Sequence, residues 1–200
     1  MRLTLPRRGL LALLLGGALG GCPLPQSLPE YPKNGPITPP RIQMDQVTPI
    51  DTLVLVDVGC AVSPAPRFTL SAKLIDENTY EKVEVRWFVD YDPSTDKAKP
   101  DIPPYFIDGS ADGVTIERAV QDYAFLPFSY GTVTTGGLHV VELVVSNNFA
   151  QETAPPDPPL ARPWRTPLTT STQQFETQFF RWVFQYVPAG TPNARCSYPP

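Results

Sequence analysis

Histidine is almost absent from this chain: His139 is the single one in 200 residues. A Ser-His-Asp or Cys-His site would have to be built on it, and a histidine-rich metal site is excluded. Its parity matches Val141, Leu143 and Val145, so it is expected on a core-facing row, as a hydrogen-bonded histidine and not as a catalytic base. Cysteine is scarce too. Cys22, Cys60 and Cys196 are the only three, and none has a cysteine or histidine near it, so zinc-type spacing is missing. No glycine-rich phosphate loop occurs. No segment combines a helical period with caps, and no internal repeat is present. No apolar run reaches the about 20 residues that a spanning helix needs. Basic residues are in deficit, 16 against 20 acidic. Nucleic acid is therefore not expected as a partner, because phosphate binding needs a basic footprint. No catalytic residue set, metal site or cofactor is predicted.

Proline, in contrast, is plentiful at 26 residues, and it is spread unevenly. Residues 23–49 hold Pro23, Pro25, Pro29, Pro32, Pro36, Pro39, Pro40 and Pro49 with no apolar period. Such a segment is expected to stay extended and to act as a tether of up to about 80 Å, at about 3.1 Å per residue.

The first 22 residues carry the clearest pattern. Arg2, Arg7 and Arg8 precede an apolar stretch from Leu10 to Leu19, the layout of a secretory signal peptide. The stretch ends in Leu19-Gly20-Gly21-Cys22. This resembles the lipobox of bacterial lipoproteins, a leucine and two small residues before cysteine. The resemblance implies diacylglyceryl transfer to Cys22, cleavage before it and acylation of the new N-terminus. Two or three acyl chains hold a protein on a membrane where one would let it leave. Pro23 stands where an aspartate would favour inner-membrane retention, which points to the outer membrane. Removal of residues 1–21 takes away three arginines and no acid, leaving 13 basic against 20 acidic residues, a formal charge of −7.

With Cys22 lipidated, Cys60 and Cys196 remain as an even pair in an exported chain, and an oxidising compartment favours a disulfide between them. So long a closed loop is worth roughly 4–5 kcal/mol in the chain-entropy account. Two buried or free thiols are the alternative.

From Thr52 onward, short β-like runs alternate with turn residues. They fall at 52–60, 67–75, 82–91, 113–120, 123–130, 138–149 and about 174–187. Val83, Val85, Trp87, Val89 and Tyr91 show a period of two. Residues 138–149 are apolar on both faces apart from Glu142, as in a central strand. Seven strands in about 140 residues predict an all-β fold, a single immunoglobulin-like β-sandwich with long proline-rich loops. The expected organisation is a signal peptide at 1–21, a lipid-anchored proline-rich linker at 22–50 and the sandwich with its tail at 51–200.

Gly137-Leu138-His139-Val140-Val141-Glu142-Leu143-Val144-Val145-Ser146-Asn147 resembles the late strand of PKD and related Ig-like domains, and Trp87 stands where that family keeps a core tryptophan. The family continues Trp-x-Phe-Gly-Asp-Gly where this chain has Trp87-Phe88-Val89-Asp90-Tyr91-Asp92, so the topology is what the resemblance implies.

Phe180, Trp182, Phe184 and Tyr186 share one face of the last strand. They are either core or, if exposed, a binding face for sugars or peptides. Asp90, Asp92, Asp96 and Asp101, and the run Asp108-Gly109-Ser110-Ala111-Asp112-Gly113, supply oxygen donors of the kind calcium takes. They lack the EF-hand glycine and glutamate, and read as solvated turns. The expected function is a membrane-anchored, non-catalytic binding or structural module of the cell envelope, with an envelope protein or polysaccharide as partner. The alternatives are a subunit of a larger envelope assembly, docking through loops 92–112 and 151–168, and a secreted hydrolase working through carboxylates.

Overall fold

The computed structural model describes residues 38–60, 65–92, 94–95, 100–131, 133–147 and 177–199. Eleven strands follow one another: β1 (Arg41–Ile42), β2 (Leu53–Asp57), β3 (Arg67–Leu70), β4 (Lys73–Ile75), β5 (Val83–Val89), β6 (Tyr105–Ile107), β7 (Glu117–Ala119), β8 (Tyr123–Phe125), β9 (Leu138–Ser146), β10 (Gln178–Val187) and β11 (Ser197–Tyr198). One short 3-10 turn, Pro127–Ser129, is the only helical element among the described residues. The fold is all-β.

The strands form a five-stranded sheet, β2-β10-β9-β5-β6, and two three-stranded sheets, β1-β4-β7 and β11-β3-β8. The run expected to be central is central: β9 lies between β10 and β5. Alternation decides what each face buries. On β10, Phe180, Trp182, Phe184 and Tyr186 are buried while their odd-numbered neighbours are exposed or half-buried. Val85, Trp87, Val141, Leu143 and Val145 extend this inner row across β5 and β9. Facing it are Phe68, Leu70, Tyr123 and Phe125 from β3 and β8, and Ile42 and Leu74 from β1 and β4, all in one cluster. This arrangement is compatible with a β-sandwich.

Eleven strands stand where seven were expected, β6 forms inside the stretch 92–112 expected as a loop, and three further boundaries differ from the sequence expectation. The fold begins before residue 51. β1 pairs with β4, Ile42 and Val47 join the core, and the Trp182 indole N–H donates to the Pro49 carbonyl at 2.8 Å. Residues 38–50 are therefore not tether. Two apolar side chains and a buried indole that needs an acceptor hold them in place despite the prolines. The single strand expected at 67–75 is two, because Ser71 turns its backbone to Thr48 and the chain passes from one sheet to another. The C-terminal tail also contains a strand, β11, which pairs in parallel with β3.

A buried ion pair locks the turn before β5. Arg118 on β7 lies 2.9 Å from Asp76, with side chains 4% and 0% exposed. The guanidinium also donates to the carbonyls of Asn78 and Glu81 at 2.8 and 2.5 Å. Asp76 accepts in addition from the Asn78 backbone N–H and the Asn147 side chain. Burial pushes the Asp76 carboxyl up and the Arg118 guanidinium down, each towards its neutral form, and their mutual attraction opposes both shifts. Removing one partner strands the other charge. Arg118→Ala should cost about 3–5 kcal/mol, read as a fall in the urea midpoint at constant slope. Lys73→Ala, which breaks the exposed pair with Glu117, should cost no more than about 1 kcal/mol. Equal losses would show that the Asp76 network is not what holds this turn.

Candidate functional site

At the other end of β5 the chain makes a second polar constellation. Asp90 follows the strand with a positive φ of 50°, a region costly for residues with a side chain. Its contacts account for the strain. The Asp90 backbone N–H donates to the Val140 carbonyl at 2.8 Å. One carboxylate oxygen accepts from the Val140 N–H at 2.8 Å, and the other lies 2.6 Å from His139 Nδ1. One residue thus clamps the end of β5 to β9 and orients the imidazole. His139 is buried and ringed by Phe125, Tyr130 and Tyr186 at centroid distances of 6.0, 5.9 and 5.5 Å. The clamp matches the expectation of a hydrogen-bonded core histidine. Its partner was hidden by 49 residues of sequence separation.

Tyrosine hydroxyls extend the cluster. Tyr123 donates to Asp101 at 2.5 Å and lies 3.2 Å from the Tyr130 hydroxyl. Tyr186 donates to the Pro127 carbonyl at 2.6 Å. Burial raises all three phenols, Tyr130 and Tyr186 to about 12 and Tyr123 beyond the normal range, with Asp101 and Asp90 adding to the effect. The group is a satisfied polar-aromatic end cap. Its chemistry is that of a proton-holding, rigid corner.

The aromatic row of β10 is not a binding face. Phe180 is 8% exposed and Trp182, Phe184 and Tyr186 are at 2% or below. Trp182 stacks at 5.8 Å on Trp87, and Phe184 meets Phe68 and Phe125 at 5.2 and 4.5 Å. Four large rings on one parity are what closes the core, so none is left to a ligand. Cys60 and Cys196 are joined in a disulfide with their Cα atoms 5.5 Å apart. Cys22, the expected lipidation site, and loop 151–168 lie outside the described residues.

The acidic loops turn inward on themselves. Asp92 accepts from the backbone and hydroxyl of Ser94, and Asp112 from Ser110, Val114 and Thr115. Asp108 pairs with Lys82 at 3.0 Å. Among the described residues no three carboxylate, histidine or cysteine side chains converge on a point that could hold a metal ion. Asp96 lies outside those residues.

Two surface features remain. The break between β3 and β4 opens a groove of about 300 Å³ floored by Val47, Ala72 and Val120, with Asp45, Lys73 and Asp122 at its rim. On the outer face of the five-stranded sheet, Leu53, Val183 and Val140 stand in one row across β2, β10 and β9, with Leu55, Gln185 and Leu138 in the next. Leu53 and Leu138 are 51% and 56% exposed. Two exposed leucines beside half-buried valines make this strip a candidate contact surface.

Comparison with known protein families and with curated proteins finds no match for this chain.

The raised phenols of this cluster give a measurable consequence. A raised folded-state pKa contributes stability that is complete below the unfolded value of about 10 and is lost as pH rises through the folded value, by up to about 1.4 kcal/mol per pH unit per group. Followed by absorbance at 295 nm, Tyr123, Tyr130 and Tyr186 should stay protonated at about pH 11 in the folded chain, where free phenols ionise. All eight tyrosines should titrate together in urea. Full ionisation at about pH 11 without loss of structure would contradict the buried arrangement.

Proposed function

We propose that this chain is a lipid-anchored cell-envelope protein whose folded part is an immunoglobulin-like, non-catalytic binding or structural module. The observation that carries the reading is Leu19-Gly20-Gly21-Cys22 closing an apolar run behind three arginines. The Cys60–Cys196 disulfide supports export, because such bonds persist in oxidising compartments. The all-β architecture and the central β9 support an immunoglobulin-like topology. A formal charge of −7 after cleavage leaves anchoring to the acyl chains and not to attraction for anionic lipid. Pro23 after the cysteine favours the outer membrane. In this reading residues 23–37 serve as the spacer, shorter than the whole proline-rich stretch because the fold begins by residue 41.

A second reading, a subunit of a larger envelope assembly, is favoured by the strip in which exposed Leu53 and Leu138 flank half-buried Val140 and Val183.

Metabolic labelling with radioactive palmitate separates anchored from merely secreted chains. Wild type should carry label, and Cys22→Ala should carry none and leave the membrane fraction. Equal labelling of both would end the lipoprotein reading. For the assembly reading, detergent extracts should show the chain in a particle larger than itself. Leu53→Lys with Leu138→Lys should return it to the size of the free chain, with stability changed by no more than about 0.5 kcal/mol per site. A double variant that still runs in the large particle would discount the strip.

A further inference from the structure

The last residues of the chain form a strap across a seam. Arg195 forms a parallel bridge with Val56 at the open edge of β2: its N–H donates to the Leu55 carbonyl at 2.9 Å, and its carbonyl accepts from Asp57 at 3.2 Å. Two residues on, Ser197 and Tyr198 pair in parallel with Arg67 and Phe68 of β3. β2 belongs to the five-stranded sheet and β3 to a three-stranded one. The strap therefore covers one edge of each sheet and stitches the two together. Between its two grips sits Cys196, joined to Cys60 just beyond β2.

The grips are small: one bridge and one two-residue pairing. So short a parallel ladder has little stability of its own. Tyr198 packs on the core and the Gly190 N–H donates to Asp57 at 2.8 Å, and the covalent bond adds to these by keeping the strap at high local concentration over the seam. The chain leading to it, residues 188–194, is built of turns. Thr191 and Ala194 donate back to the carbonyls of Pro188 and Thr191, and Gly190 and Asn193 have φ of 76° and 66°. Stretched out, these seven residues span about 23 Å, enough to carry the strap away from its own body.

We propose that the seam between β2 and β3 is a strand-docking site whose second occupant is the strap of another copy of this chain, and that the Cys60–Cys196 bond decides between the two. The seam fits residues 195–198 by construction, so the strap of an identical chain fits equally, the condition for segment exchange. A dithiol reductant opens the bond: two electrons and two protons go to the Cys60 and Cys196 sulfurs, and the dithiol closes to its own cyclic disulfide. The freed strap leaves the edges of β2 and β3 unpaired, and unpaired edges recruit strands. Reoxidation by glutathione disulfide then fixes whichever strap is seated. Cys60 thiolate displaces one glutathione, Cys196 thiolate displaces the other, and two thiols plus one glutathione disulfide become one protein disulfide and two glutathione thiols.

The test uses the full chain carrying Cys22→Ser, so that only two thiols remain. Equal amounts of ¹⁵N-labelled and unlabelled chain are mixed, reduced with dithiothreitol without denaturant, reoxidised with glutathione disulfide and digested without reduction. A dimer fraction that grows with protein concentration is expected. Half of its Cys60–Cys196 peptides should join a labelled to an unlabelled half, as random pairing of equal pools requires. Only same-label peptides, at every concentration, would overturn the proposal. A second arm mixes Cys60→Ser with Cys196→Ser, each in the Cys22→Ser chain. The disulfide between Cys196 of the first and Cys60 of the second should exceed both homodimers at least tenfold. Homodimers in statistical proportion, or no disulfide, would show that the seam does not select the strap.

Discussion

The spacing between the layers of this protein is set by stacked rings. Trp87 of β5 stacks on Tyr123 of β8 at 4.7 Å, and Phe184 of β10 meets Phe68 of β3 at 5.2 Å and Phe125 of β8 at 4.5 Å, while Trp182 lies beside Trp87 within the five-stranded sheet at 5.8 Å. Rings of this size contribute most of the apolar area such a core can bury, and their preferred geometries add to it. Trp87, Trp182, Phe68, Phe88, Phe125 and Phe184 are all completely buried. Five of these fill the main core, and Phe88 packs apart from it with Val144 and Tyr91.

The ends are closed by polar networks, one on each side of β5. Before the strand, Arg118 gathers the carbonyls of Asn78 and Glu81 and the carboxylate of Asp76. After it, Asp90 takes up the Val140 backbone and the His139 ring. Both networks place a carboxylate on a turn, Asp76 buried and Asp90 half-buried, and tie it to backbone groups, which fixes the path of the chain where the β ladder stops. Asp90 carries the higher conformational cost, a positive φ, and returns it in three hydrogen-bonded contacts to one pair of residues. The two ends therefore differ in kind. One is an ion pair sealed from water, the other a set of phenols and an imidazole arranged around two carboxylates.

What the sequence made legible followed from local rules. Period two placed β2, β5, β9 and β10 correctly, and parity put His139 with Val141 and Leu143 in the core. The even cysteine pair led to the observed disulfide. What stayed illegible depended on partners far away in the chain. β1 and β11 are two residues each and have no period to read. Residues 38–50 look like tether by proline content, yet Ile42, Val47 and the Pro49 carbonyl bind them to the core. The break at Ser71 carries no glycine or proline, since it is made by Thr48 pairing from outside. The β10 aromatic row was ambiguous because alternation says which residues share a face and not whether another layer covers it.

Edges and faces now separate the ways this protein can meet others. At one side of the five-stranded sheet, β2 is covered by Arg195, and the disulfide keeps that cover in place. At the other side, β6 is three residues long, and a short edge offers little to an incoming strand. The closed form is thus poor at accepting strands by its edges. The face is different. Leu53, Val183 and Val140 run across three strands on the side away from the aromatic core, and a flat apolar row of this kind is buried best by another surface laid over it. While the strap is closed, contact with a partner follows the face. Once it opens, the seam beside β2 and β3 competes for strands. The same disulfide that completes the fold therefore determines which of its surfaces is available.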